Sequence, residues 1–241
     1  DELVQHRSGC GVVLDIENGD ILAMVSAPSF DPNMFRQDDA EEYINSLRKD
    51  IAKPFMNKTI EGLYPPGSTF KMVVAAAALE EGIITESEYI YDTGIYPYGH
   101  KPVCWYYNEH HRGHGNVNIK TALQKSCNYF FYEMGRQLGV DTIAKYARYF
   151  ALGQKTGIEI TGEQAGTVAS TAYAESIGET WYPSNVYSAA IGQSYNNYSP
   201  LQMARYISMI ANGGNYVEPT VIKQVKDIQG NTVSKEEIEN Y

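Results

Sequence analysis

One stretch limits what this chain can fold into more than any other. Residues 69–81 read Thr-Phe-Lys-Met-Val-Val-Ala-Ala-Ala-Ala-Leu-Glu-Glu, which is apolar on almost every side when wound at about 3.6 residues per turn. A surface helix needs a polar face, and this run has none. The pattern therefore predicts a buried central helix, entered through the helix-breaking Tyr64-Pro65-Pro66-Gly67 and closed at Gly82. The rest of the chain has material to cover it. Helical patterns are expected over 38–48, 119–125, 128–138, 141–151 and 199–212, the last opening on Ser199-Pro200 and stopped by Gly213-Gly214. Two β-rich runs, 12–17 and 20–25, flank Asn18-Gly19 and predict a hairpin. Short strands are expected over 158–160 and 220–227, and the Gly- and Pro-rich residues 83–116 read as loop or short hairpin.

Composition excludes several classes. With 241 residues, 43% hydrophobic and 20% charged, the chain can bury a core and is not disordered. It holds no apolar run of about 18 residues, so no membrane span is expected within it. Its formal charge of −10, without a Lys/Arg cluster, argues against nucleic acid as a partner. Three cysteines, Cys10, Cys104 and Cys127, are too few for a disulfide-stapled scaffold. The chain begins Asp1-Glu2-Leu3-Val4 with no signal-peptide pattern, as a piece of a longer protein does. No repeat, low-complexity segment or composition shift marks an internal boundary.

The chemistry starts at Ser68 and Lys71. Residues three apart share a helix face, so Ser-x-x-Lys at the start of a buried helix places a hydroxyl beside an ammonium on an apolar wall. Burial disfavours the charged lysine and equips it to take the serine proton. The competing reading is an N-capping serine and a lysine that reaches solvent. A second piece, Ser126-Cys127-Asn128, lies where one expected helix ends and the next begins. There Ser126 can relay a proton to a leaving group, and the Asn128 amide can hold a substrate amide by donor and acceptor.

With these motifs the chain resembles the transpeptidase domain of class B, monofunctional penicillin-binding proteins of the elongation or sporulation type. The resemblance rests on residues 11–26 as an opening hairpin, on Tyr64-Pro65-Pro66-Gly67-Ser68-Thr69-Phe70-Lys71, on Ser126-Cys127-Asn128, and on Gly192-Gln193 followed by Ser199-Pro200-Leu201-Gln202-Met203-Ala204. It implies an α/β fold of the penicillin-binding and serine β-lactamase type, an antiparallel sheet flanked by helices with a mainly helical subdomain. It implies Ser68 as the acylated nucleophile, Lys71 as its base, Ser126 as proton relay and Asn128 as substrate clamp. The activity implied is peptidoglycan D,D-transpeptidation through an acyl-serine, on the extracytoplasmic face of the bacterial cytoplasmic membrane. Stem peptides and β-lactams are the expected ligands, and other cell-wall synthesis proteins the expected partners. No organic cofactor is expected, and the membrane anchor is expected outside this chain. A serine β-lactamase and a β-lactam sensor domain share the acylation chemistry and stand as alternatives.

The family's third motif, Lys-(Thr/Ser)-Gly on a strand after the Ser-Pro-Leu-Gln helix, has no counterpart there. Lys155-Thr156-Gly157 comes too early and continues into Ile158. It reads as a turn, and residues 1–241 as one transpeptidase domain truncated before the true third motif, with its C-terminal strands missing.

A metal site is the other sharp signal. Cys104, His110, His111, His114 and Cys127 crowd one region, and zinc favours such sulfur and nitrogen ligands. With Ser126 and Asn128 turned to the cleft, Cys127 points the other way. Cys104 is a natural second ligand, and His114 a third because Gly113 and Gly115 let the backbone bend close. A hairpin centred on Tyr98 places Asp92 opposite Cys104, which selects Asp92 as fourth ligand over His110 or His111. The competing readings are a Cys104–Cys127 disulfide, two unlinked thiols, and histidines on a wet loop.

Overall fold

A computed structural model describes residues 8–233. In chain order the elements are β1 (Gly9–Leu14), β2 (Ile21–Ala27), α1 (Ala40–Lys49), α2 (Lys71–Glu80), β3 (Ile90–Asp92), α3 (Trp105–His110), β4 (Gly115–Val117), α4 (Ile119–Gln124) and α5 (Asn128–Leu138). They continue with α6 (Val140–Tyr149), α7 (Thr171–Ser176), α8 (Asn185–Ala190), α9 (Pro200–Ala211), β5 (Val225–Lys226) and β6 (Thr232–Val233). The chain divides into two compact units. Of the described residues, one comprises 8–62, 155–164 and 200–233, the other 63–154 and 165–199. Each is threaded by separate segments, so no linker or change of composition separates them.

In the first unit β1 and β2 form the expected antiparallel hairpin, from Gly9 opposite Ala27 to Leu14 opposite Ile21, with a bulge at Val13 and Leu14. The Asn-Gly pair sits in a wider loop, where Asp15 Oδ1 accepts from the Glu17 N–H at 2.9 Å and Asn18 Oδ1 from the Asp20 N–H at 2.8 Å. Helix α9 lies along β1. Its Leu201 joins Ile60 and Ile158 in a small core, against which Val12, Ile21 and Met24 pack. The strand expected over 158–160 does not form. Ile158 is buried in that core and its N–H bonds the Thr156 hydroxyl at 3.3 Å, so the apolar alternation there serves packing rather than a sheet. The strand expected over 220–227 shortens to β5, paired with β6, while Thr220 bridges Asp20.

The second unit is built around α2, as its sequence requires. Val73, Val74, Ala75, Ala77 and Ala78 are buried, and α5 and α6 pack on α2. The short alanine side chains let these helices approach closely. Helix α5 contributes buried Phe130, Phe131 and Met134 and packs on α8 at its other side.

Residues 83–116 hold more structure than their turn-rich composition suggests. Strand β3 pairs with β4, Asp92 opposite Gly115, and α3 rises from the loop between them. The inner hairpin is centred one residue later than expected. Ile95 faces Val103 and the Cys104 N–H bonds the Gly94 carbonyl at 2.8 Å, so Cys104 lies across from Gly94 and not Asp92. The α/β class stands, but the sheets of the described residues are three separate antiparallel pairs. No helix among the described residues is long and apolar enough to cross a membrane.

Candidate active site

Ser68 sits, exposed, in a short 3₁₀ turn over Gly67–Phe70 that leads into α2. The turn is pinned by a bond from the Gly67 N–H to the Gly192 carbonyl at 2.9 Å. Gly192 has φ +73, and a Cβ there would lie 2.1 Å from the Gly67 carbonyl oxygen. Only glycine fits that approach.

Lys71 opens α2 and is 1% exposed. Its Nζ donates to the Asn128 Oδ1 at 2.6 Å, to the Ser126 carbonyl at 2.9 Å and to the Ser126 Oγ at 3.0 Å. Burial pushes its pKa down to about 8, against a smaller upward pull from Cys104 and Cys127. At that value roughly a tenth of the lysine is neutral at pH 7. The Ser126 hydroxyl in turn donates to the Ser68 Oγ at 2.9 Å. Ser68, Ser126 and Lys71 therefore form one hydrogen-bonded chain, in which Ser126 links the exposed hydroxyl to the buried amine. When Lys71 is neutral, both hydroxyl bonds can reverse and draw the Ser68 proton to Nζ. The Asn128 Oδ1 is committed to Lys71, so it is the amide N–H side of Asn128 that can face a substrate.

Helix α4 aims Ser126. A capping box between Asn118 and Thr121 starts the helix. At its end Ser126 takes the left-handed conformation, φ +49, with its N–H on the Leu123 carbonyl and the Cys127 N–H on the Ala122 carbonyl. Glycine is the usual residue at such a cap, so a serine there carries strain of about 1 kcal/mol. We expect Ser126→Gly to melt about 2–4 °C above Ser126→Ala, because only glycine relieves that strain. If Ser68 is the acylated residue, acylation by a β-lactam should slow about 10²-fold or more in both variants, since both lose the hydroxyl that joins Ser68 to Lys71.

Behind this face lies a second cluster. The ligand atoms of Asp92, Cys104, His114 and Cys127 all fall within 4.8 Å of one another. Asp92 Oδ2 is 2.8 Å from His114 Nδ1 and 3.3 Å from the Cys127 sulfur, and the Cys104 sulfur is 3.7 Å from His114 Nδ1. Ligands around a tetrahedral zinc stand roughly 3.3–3.7 Å apart, so the spacing is close to that of such a shell. Both cysteines are fully buried and free, which sets aside the disulfide. Their shared hydrogen bond holds Cys104 below the ordinary thiol range and, with burial, pushes Cys127 above it. Gly113 makes the close approach possible, since a Cβ there would lie 2.0 Å from the Asp92 carbonyl oxygen. His110 and His111 are exposed and outside the cluster. Asp92 meets His114 through the β3–β4 pairing, where it stands opposite Gly115, and not through the register that selected it.

A sequence model of the penicillin-binding protein transpeptidase domain matches residues 9–240. The chain belongs to that family. It is 35% identical over 221 residues to the peptidoglycan D,D-transpeptidase MrdA of Acinetobacter baumannii, covering 90% of this chain and 32% of that protein. It is 32% identical over 239 residues to the stage V sporulation protein D of Bacillus subtilis, covering 98% of this chain and 33% of that protein. The chain thus spans about a third of the length of these relatives. A solved complex of the penicillin-binding protein PBP2 with MreC from Helicobacter pylori superposes with TM-score 0.83 at 28% identity, over 96% of this chain and 43% of that one.

Within this penicillin-binding protein domain, two further features bear on the site. Lys155-Thr156-Gly157 forms a turn whose Thr156 and Gly157 N–H groups bond the two carboxylate oxygens of Glu163 at 2.7 and 3.2 Å. Trp105, which the sequence does not single out, donates its indole N–H to the Ser126 carbonyl at 2.9 Å, the same oxygen that Lys71 bonds. That contact joins residues 21 apart through a backbone atom, and no side-chain pattern announces it.

Proposed function

We propose that the protein containing this chain is a peptidoglycan D,D-transpeptidase of the cell-elongation or sporulation type. Ser68 attacks the D-Ala-D-Ala bond of a stem peptide, and the acyl group then passes to an amine. The hydrogen-bonded chain from Ser68 through Ser126 to Lys71 carries this reading, because it gives one exposed hydroxyl a buried base of lowered pKa. Asn128 lends an amide N–H to the bound peptide. β-Lactams acylate Ser68 as donor mimics. The third motif is supplied from outside residues 1–241, which together form one transpeptidase domain lacking it. The protein acts on the extracytoplasmic face of the cytoplasmic membrane, held by an anchor outside this chain. It works beside other cell-wall synthesis proteins, a reading that the MreC complex of the Helicobacter relative supports.

Asp92, Cys104, His114 and Cys127 fit a structural zinc: two sulfurs, one imidazole nitrogen and one carboxylate oxygen, buried and convergent. When bound, the ion supplies cross-linking of the β3–β4 pair to the start of α5, and no chemistry, since four protein ligands leave it no open position. Cys127 lies between Ser126 and Asn128, so fixing it fixes both.

Turnover by the full-length protein tests the reading. A transpeptidase forms cross-linked product from a stem-peptide donor and an amine acceptor. Rapid β-lactam hydrolysis without cross-linking identifies a β-lactamase, and stable acylation with neither activity identifies a sensor.

A further inference from the structure

Ser126 faces two places. Its hydroxyl bonds Ser68 and Lys71, and the residue also lines a cavity of about 640 Å³, walled by Trp105, Tyr106, Arg112, Gln124 and Lys125. Two of the lining residues are cations and none is a carboxylate, on a chain of formal charge −10. The aromatic wall is held in place. Tyr106 stacks on His114 at 4.3 Å, the Trp105 indole bonds the Ser126 carbonyl, and Arg112 Nη2 donates to the Tyr106 hydroxyl at 3.4 Å.

The second half of the reaction says what such a cavity takes. An amine nitrogen attacks the acyl carbon, an amide bond forms, the bond from carbon to Ser68 Oγ breaks, and the amine proton returns to Oγ through Ser126. Acylation releases its leaving amine beside the same relay, so by microscopic reversibility the incoming amine arrives there too. An ammonium has no lone pair to attack with, and this cavity offers no carboxylate to hold one. Cations on its wall favour the neutral amine and attract carboxylates carried by the same molecule. We propose that this cavity is the acceptor subsite, and that it takes an amine-bearing peptide through at least one free carboxylate, held by Arg112 and Lys125. The inference rests on the reading of Ser68 as the acylated nucleophile.

The test uses the full-length protein, a thioester donor that acylates Ser68, and two matched acceptors, Nα-acetyl-lysine and Nα-acetyl-lysinamide. These differ only in the carboxylate. Product formed by transfer is divided by product formed by hydrolysis, with the acyl-enzyme followed by mass spectrometry. The unaltered protein should prefer the carboxylate acceptor by about fivefold or more. The double variant Arg112→Gln/Lys125→Gln should bring that preference close to unity, whereas Lys120→Gln, an exposed lysine outside the cavity, should keep it. Equal use of the two acceptors by the unaltered protein, a preference that survives in the double variant, or an acyl-enzyme that transfers to neither acceptor overturns the proposal. A Ser68 that is never acylated overturns the transpeptidase reading itself, and is seen before any acceptor is added.

Discussion

Replacing Lys71 by Ala in the full-length protein is expected to slow acylation of Ser68 by a β-lactam about 10²–10⁴-fold, the range that a positioned general base contributes. The pH dependence should go with it. Lys71 is held down to about 8 by burial, and it is the neutral form that accepts a proton. As its pKa is lowered from that of a free lysine, the active form gains with rising pH and saturates just above the folded value. Acylation should therefore rise about tenfold per pH unit below about 8 and level off above it. In Lys71→Ala that rise should vanish along with the rate. Since Lys71 also bonds Ser126 and Asn128, Lys71→Arg serves as the companion variant: it keeps a cation there but not a base, and should stay slow at every pH.

Removing the proposed metal is expected to have the larger effect on stability. Asp92 is 1% exposed and the two thiols are fully buried, so stripping the ion leaves charge or polarity without its partner. Breaking such a buried charged cluster costs about 3 kcal/mol or more, which for a chain of this size lowers the melting temperature by roughly 6–12 °C. Chelation and the variant Cys127→Ser should each produce that fall, and both should slow acylation, because Cys127 is flanked by Ser126 and Asn128. Protein purified without added zinc should contain about one equivalent. Near-zero metal, together with melting unmoved by a chelator, would contradict the assignment.

Why some of this was legible in the residues and some was not has a physical basis. Ser68 and Lys71 are three apart on a helix that has to be buried, so their meeting is a local matter that periodicity decides. Ser126 and Asn128 were readable because a helix junction places them on one side and Cys127 on the other. That Lys71 is linked to Ser68 through Ser126 is a matter of distances that spacing does not carry. Asp92 was chosen by counting along a hairpin whose true register differs by one residue at its centre. The β3–β4 pairing, with Asp92 opposite Gly115, nevertheless sets Asp92 beside His114 by another path. Residues 158–160 alternate like a strand and form none, because their apolar side chains are used in a core built from distant segments. Trp105 was invisible, as its partner is a backbone oxygen.

The most direct measurement is the site of the β-lactam adduct. The full-length protein is treated with a labelled penicillin, digested, and the modified peptide is sequenced by mass spectrometry. The label should lie on Ser68 alone and disappear in Ser68→Ala. A label on Ser126 or any other serine, or one that persists in Ser68→Ala, would contradict the hydrogen-bonded chain of Ser68, Ser126 and Lys71 as the acylation machinery.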